Sequence, residues 1–239
     1  MSLLTLGVET SGLAGSVALR HGGETVAVLP LEQAGRRHAQ TLVSEIDSLL
    51  CEHCLTPKRL ELIAVSIGPG SFTGLRVGVV FAKTMAYATG CRLAAVDTFR
   101  AIAAASPADV AEVFVVADAQ RGELFVGRYA REEKQAGGGV TDRWNPRREI
   151  SIAETDVWCR QLAELTPPSL AVSGPAVETI RSSLPSFVRV LDSEFRLPRA
   201  DLVAELGEQQ ALAGELAEVW TLEPFYLRRS AAEEKAGAS

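Results

Sequence analysis

Histidine is scarce in this chain of 239 residues: His21, His38 and His53 are the whole supply. None stands in a His-Glu-x-x-His or His-x-x-x-His arrangement, so a zinc protease would lack its ligands. Cysteine is almost as sparse. Cys51, Cys54, Cys91 and Cys159 are too few and too scattered for a disulfide scaffold of this length, which points to reducing, cytoplasmic surroundings. Cys51-Glu-His-Cys54 has the spacing of half a zinc knuckle, but the chain offers no second Cys-x-x-Cys pair, and free thiols at a helix end are the better reading. Positive charge is also in deficit, with 24 Lys and Arg against 30 Asp and Glu and a formal net charge of −6. That balance argues against independent RNA or DNA binding, because basic patches supply most of such affinity. No apolar run reaches the ~18 residues of a membrane span, since Arg76 and Lys83 interrupt the richest one. The first eight residues lack the basic region and cleavage pattern of a signal peptide. No serine sits in a Gly-x-Ser-x-Gly elbow, and Ser71 has no obvious histidine base.

What is present is an ordinary apolar endowment, 47% hydrophobic residues with a mean hydropathy of +0.12. It is enough for one large domain or two small lobes. Leu3 to Val8, Ser16 to Arg20 and Thr25 to Pro30 read as three opening strands, the last two joined across His21-Gly-Gly23. From His38 to Leu50 the period turns helical, with Ala39, Leu42, Val43, Ile46, Leu49 and Leu50 on one face. A strand over Leu62 to Ile67, a helix over Leu75 to Thr89 and a strand over Cys91 to Val96 follow. The order is that of an α/β lobe with hairpin strands first and crossovers later. The pattern restarts near Asp109. Glu112 to Ala117 and Glu123 to Tyr129 read as a second hairpin, and Gln135 to Gly139 as an exposed tip or linker. Ala153 to Leu165 reads as a helix, Leu170 to Ser173 as a strand, Leu202 to Leu216 as a helix with a break at Gly207, and Glu223 to Arg229 as an extended segment. The expected organisation is a first lobe over 1–106, a smaller α/β lobe over 107–230, and a frayed tail over 231–239.

Gly68, Gly70 and Gly74 surround Ser71 and Thr73 at the start of a helix, where backbone N–H groups can hold an anion. The Lys-Ser/Thr pair of a Walker motif is missing, however, and Ser71 or Thr73 can equally cap the helix. Tight turning and close helix packing are the preferred reason for the glycines. Glu9-Thr-Ser11 after the first strand, and Asp118 at the matching place in the second half, are the available inventory for a metal-bound phosphate. Two opposed carboxylates need a metal or a proton between them. Arg36-Arg-His38 puts positive charge at a helix N-terminus, against the helix dipole. Its two readings are solvated loop arginines and a contact with an acidic group on a partner. The Leu75–Thr89 helix is apolar well beyond one stripe: Leu75, Val79, Ala82 and Ala86 make one row, and Val80, Phe81, Met85 and Ala88 widen it. A helix on a sheet needs only one stripe. Either the first helix or another protein covers the excess.

These residues resemble a known family. Leu6 to Leu19 is similar to its opening strand pattern, Arg36-Arg-His38 to its Arg-x-His, and Gly68-Pro-Gly-Ser-Phe-Thr-Gly-Leu-Arg-Val-Gly78 to its hallmark. Asp118-Ala-Gln-Arg-Gly-Glu123 and Glu223-Pro-Phe-Tyr-Leu-Arg228 fall at its expected places in the second half. The family is that of TsaB (YeaZ-type) subunits of the tRNA threonylcarbamoyladenosine machinery. The resemblance implies an α/β, two-lobed actin/Hsp70-like ATPase (ribonuclease-H-like) fold without catalysis of its own. It implies a dimerization subunit for TsaD, the metal-binding partner, joined by the ATPase TsaE, in transfer of a threonylcarbamoyl group to N6 of adenosine 37 of tRNA. It further implies no cofactor for this subunit, with ATP and magnesium used by the partners, tRNA met only through the complex, and a possible homodimer. The contact would use the two helices of the first lobe, here Arg36, His38, Leu42, Val43 and Ile46 on one side and Leu75, Val79, Val80, Lys83 and Met85 on the other. Glu9 departs from the family's usual Asp, and its longer side chain disfavours close coordination of a metal–nucleotide group. The runner-up reading is a nucleotide-binding ATPase or phosphotransferase of the same fold, resting on Glu9, Thr10, Ser11 and Asp118.

Overall fold

Leu4–Glu9 (β1) is buried at every position, and a strand so enclosed must be covered on both faces. In the computed structural model, which describes residues 3–12, 14–31, 38–132, 143–165 and 170–228, it is the centre of a five-stranded sheet. Gly15–His21 (β2) pairs antiparallel with it, Glu24–Leu31 (β3) extends that edge, and Leu62–Gly68 (β4) and Arg92–Asp97 (β5) add in parallel on the other side. The registers Leu6↔Leu19 and Leu6↔Ile63 align the apolar residues on the same face.

That face carries two helices, His38–Glu52 (α1) and Phe72–Thr89 (α2). Leu42, Ile46, Leu49 and Leu50 of α1, with Val79, Phe81, Ala82 and Ala86 of α2, share one core with Leu6, Val8, Leu19 and Val65 of the strands. The opposite face is covered by Ala200–Ala213 (α6). A Cβ on Gly7 would lie 2.1 Å from the Ala200 carbonyl oxygen, and one on Gly207 would lie 2.4 Å from the Ala64 Cβ. Glycine and alanine therefore bring helix and sheet nearly backbone to backbone. Arg20 of β2 is buried against the same helix, within 3.3 Å of Glu208 and 3.6 Å of Glu205.

The second unit is built on another five-stranded sheet. Glu112–Gln120 (β6) and Glu123–Arg131 (β7) form an antiparallel hairpin, Trp144–Glu154 (β8) lies on one edge, and Leu170–Ser173 (β9) and Arg189–Val190 (β10) lie on the other. Thr155–Glu164 (α4) buries Trp158, Cys159 and Leu162 against Phe114, Val116, Leu124 and Val126, and Val177–Ile180 (α5) joins this core. Thr98–Ala104 (α3) follows β5 directly.

Two units result, divided differently from the expected 1–106 and 107–230. The first takes the described residues to Ala101 together with Pro198–Tyr226, and the second takes Ile102–Leu197 with the described residues from Leu227 onward. The physical reason is α6, whose small residues match β1, β4 and β5 of the first sheet. The expected break at Gly207 is absent, because the glycine serves helix-to-sheet approach and α6 runs on to Gly214, a left-handed C-cap with φ 78. Gln135–Gly139 and the 231–239 tail lie outside the described residues. Among the described residues no helix is long and apolar enough to cross a membrane.

Candidate functional site

The glycine-rich turn between β4 and α2 rests on the segment that follows β1. Ser71 N donates to the Ser11 carbonyl at 2.7 Å, and Thr10 Oγ1 donates to the Gly74 carbonyl at 2.8 Å. A Cβ on Gly70 would stand 2.6 Å from Ser11 O, on Gly74 2.0 Å from Thr10 O, and on Gly78 2.3 Å from Thr10 Oγ1. Each of these three glycines is thus required by the close approach of Thr10 or Ser11. Ser71 caps α2, its Oγ accepting from Gly74 N at 3.3 Å. The peptide bond between Gly68 and Pro69 is cis.

Beneath this contact lies Glu9, fully buried. Its Oε1 accepts from both Ser11 N and Ser11 Oγ at 2.5 Å, while Oε2 has no partner among the described residues. Ser66, a second hydroxyl beside the same carboxyl, is buried, and its Oγ likewise has no partner among the described residues. Desolvation pushes the Glu9 pKa up, and the hydrogen bonds from Ser11 offset only part of the rise. A magnesium-held nucleotide asks for open, charged carboxylate oxygens. This sealed carboxyl does not fit that role. Thr10 and Ser11 are buried with it and committed to the same contacts.

Asp118, the other carboxylate of the sequence inventory, stands exposed on the β6–β7 hairpin. Its two oxygens accept from Gln120 N at 2.7 Å and Gln120 Nε2 at 3.0 Å, which orders a turn where Gln120 and Arg121 have positive φ. The neighbouring Glu123 and the carbonyl of Ala119 receive the guanidinium of Arg228. The two motifs of the second half, Asp118 to Glu123 and Glu223 to Arg228, thus meet through that arginine. Among the described residues, no group of three or more His, Cys, Asp and Glu side chains is placed to hold a metal ion.

The two helices of the first unit supply the remaining candidates. Leu42, Ile46, Leu75 and Val79 are all buried within the chain's own core, so they support the helices from beneath. Met85 is half-buried against the same core. Val43 on α1 and Val80 on α2 point outward, each 62% exposed. Arg36 lies outside the described residues, and His38 is described only as the first residue of α1.

Lys83 has a different task. Its Nζ donates to the carbonyls of Trp220 at 3.3 Å and Leu222 at 2.9 Å, pinning a strap of chain after α6 along one flank of α2. Ala217 N donates to Leu93 O and Phe225 N to Ile67 O, so the strap is tied at both ends. Arg76 stacks 4.1 Å above the Phe72 ring and donates to the Tyr226 hydroxyl at 3.0 Å. Further along, Trp220 meets Tyr87 edge to face at 5.2 Å, and both remain widely exposed, 74% and 70%. Val80 and Tyr87 stand seven residues apart, which places them on one stripe of the helix. The strap therefore answers part of the question posed by the apolar girth of α2, and it leaves an exposed stripe of valine, tyrosine and tryptophan beside it. Sequence reasoning found the helix but missed Tyr87 and Trp220. The aromatic content of the 217–226 segment hints at Trp220, and no sequence signal singles out Tyr87.

The family model described as TsaD, tRNA N6-adenosine threonylcarbamoyltransferase, matches residues 22–236. A tRNA threonylcarbamoyladenosine biosynthesis protein TsaB of Bacillus subtilis is 28% identical over 233 residues, 96% of each chain, and that of Escherichia coli is 25% identical over 232 residues, again 96% of each. The solved YeaZ of Pseudomonas aeruginosa superposes with a TM-score of 0.77 at 25% identity, covering 94% of this chain and all of that one. The chain belongs to this family, on its TsaB/YeaZ branch. Its fold is accordingly the α/β, two-lobed actin/Hsp70-like one. The chain thus has a closed β1 end at Glu9 and exposed apolar side chains at Val43 of α1, at Val80 and Tyr87 of α2 and at Trp220 of the strap.

Proposed function

We propose that this chain is the non-catalytic partner subunit of tRNA N6-threonylcarbamoyladenosine modification, binding and activating a TsaD-type subunit through the outward faces of α1 and α2. A TsaE-type ATPase joins the pair, tRNA is met only in the complex, and ATP and magnesium are used by the partners. The observation that carries this reading is the exposure of Val43 and Val80 on two helices whose other leucine, isoleucine, valine and methionine residues are buried or half-buried. Single exposed valines are ordinary on a protein surface. Here they adjoin helices that also display Tyr87 and, through the strap, Trp220, and exposed aromatics of this kind anchor interfaces. The same face would serve a homodimer when the partner is absent.

The enzyme reading, an ATPase or phosphotransferase acting through Glu9, Thr10, Ser11 and Asp118, is disfavoured by the sealed and protonation-prone Glu9 and by the turn-forming task of Asp118. The test is co-purification. The chain mixed with a TsaD-type subunit should elute as one complex in size exclusion, and the pair with TsaE should modify tRNA while the isolated chain hydrolyses no ATP. Tight, magnesium-dependent ATP binding by the isolated chain, abolished in Glu9→Ala, would overturn the assignment.

A further inference from the structure

At the end of the first sheet away from Glu9, the start of β1, the end of β2 and the turn after α1 enclose a groove of about 650 Å³, within the usual size of a small-ligand site. Leu4 and Glu9 stand at opposite ends of β1, about 16 Å apart at the rise of an extended strand. The groove is therefore separate from the glycine-rich turn. Leu4, Leu19 and Leu55 give it an apolar floor. Its rim is basic. Lys58 and Arg59 come from the single helical turn Pro57–Arg59, His53 from the end of α1, and His21 from the end of β2. Two fixed cations and two of the chain's three histidines thus converge in a protein whose net charge is −6. Among the described residues, none of these four side chains has an ion pair or a side-chain hydrogen bond. The carboxylate in the lining, Glu61, turns one oxygen to the Leu4 N–H at 2.9 Å.

We propose that this groove binds a phosphate ester, with the phosphate among Lys58, Arg59 and the two imidazoles and the organic body over the leucine floor. Two cations match the charge of a phosphate monoester, and a guanidinium fork presents paired donors to its oxygens. A carbon floor beside a charged rim selects a phosphate attached to an apolar or planar group. That phosphate is the terminal monoester of a free nucleotide, since an RNA backbone offers only singly charged diesters.

The experiment is an NMR titration of the full chain, following the methyl signals of Leu4, Leu19 and Leu55 and the amides of Lys58 and Arg59. Three probes are used: AMP, inorganic phosphate and a short RNA stem. Saturable shifts confined to these groups are expected, with at least one phosphate ester binding in the millimolar range or tighter and weakened about tenfold in Lys58→Ala/Arg59→Ala. Arg147→Ala/Arg148→Ala, basic but outside the groove, should leave the titration unchanged. AMP binding more tightly than inorganic phosphate identifies a free nucleotide. Preference for the RNA stem, with steep salt dependence, would mean a nucleic-acid backbone and overturns the nucleotide site. The absence of saturable shifts in the wild-type chain up to about 10 mM ester, or binding indifferent to the Lys58/Arg59 change, overturns the proposal. The wild-type titration decides even if the double variant fails to fold.

Discussion

Gly74 stands directly against Thr10: a Cβ there would lie 2.0 Å from the Thr10 carbonyl oxygen, and Thr10 Oγ1 donates to the Gly74 carbonyl at 2.8 Å. The obstacle is backbone, which no rotamer change relieves. Gly74→Ala should therefore cost more than about 3 kcal/mol, at the severe end for a single methyl. Gly90→Ala is the control. It has open space around it, and its strain is that of the left-handed α2 cap at φ 75, about 1–2 kcal/mol. Urea unfolding of the two variants should separate them clearly.

Glu9 makes a pH-dependent contribution. Burial raises its pKa above 4.5, so the folded chain retains a proton that the unfolded chain releases as pH climbs past that value. Its contribution is then most favourable below about 4.5 and is lost as pH rises through the raised folded value. Glu9→Gln keeps the shape of the protonated acid, with an amide to offer Ser66, and suffers no such loss. Measured by urea midpoints from about pH 4 to 7, the variant should gain stability relative to the parent as pH rises. A difference constant across that range would mean that Glu9 has the same protonation in both states.

How far the sequence reveals this molecule depends on what each residue faces. β1, β4 and β6 are legible because most of their residues are buried on both faces and apolar side chains dominate each of them. β8 is not, because Asn145 to Glu149 lie along an open edge and carry no apolar alternation. α6 is visible as a helix, yet its place in the first unit follows from small residues fitting strands more than a hundred positions earlier. The same holds at the candidate site. Helical period shows that α2 is apolar on too many sides, but not that Leu75 and Val79 take the sheet and Val80 the surface. Lys83 reads from sequence as a charged surface residue, and only the strap, arriving from 137 positions away, reveals its partners.

The strap itself is testable through its amides. Lys83 Nζ holds the Trp220 and Leu222 carbonyls, so Lys83→Met removes two charge-assisted hydrogen bonds, worth about 1.5–3 kcal/mol each at most and less at this half-exposed position. Ala217 and Phe225, whose N–H groups reach Leu93 and Ile67, should exchange with deuterium faster in the variant. Protection in β1 and β4 should be unchanged, since local opening leaves the core intact. Uniform acceleration across the first unit would instead make the strap an integral part of its global stability.

Assembly should depend on side chains that the fold itself does not need. Val43 and Val80 are 62% exposed, so Val43→Asp and Val80→Asp should alter the stability of the isolated chain by no more than about 0.5 kcal/mol. Each places a charge where a partner's apolar surface would have to desolvate it, and such a buried unpaired charge costs several kcal/mol. Complex formation with a TsaD-type subunit should then fall by about a hundredfold or more in size exclusion and calorimetry. Trp220→Ala examines the aromatic end of the same stripe, where an exposed tryptophan acting as an anchor would cost about 2 kcal/mol or more on truncation. Leu75→Ala provides the contrast: it should destabilise the fold by about 2–5 kcal/mol, because this leucine is buried beneath the helix and turned away from any partner. If the aspartate variants still form the complex at full affinity, the contact lies elsewhere, and the exposed valines are ordinary surface.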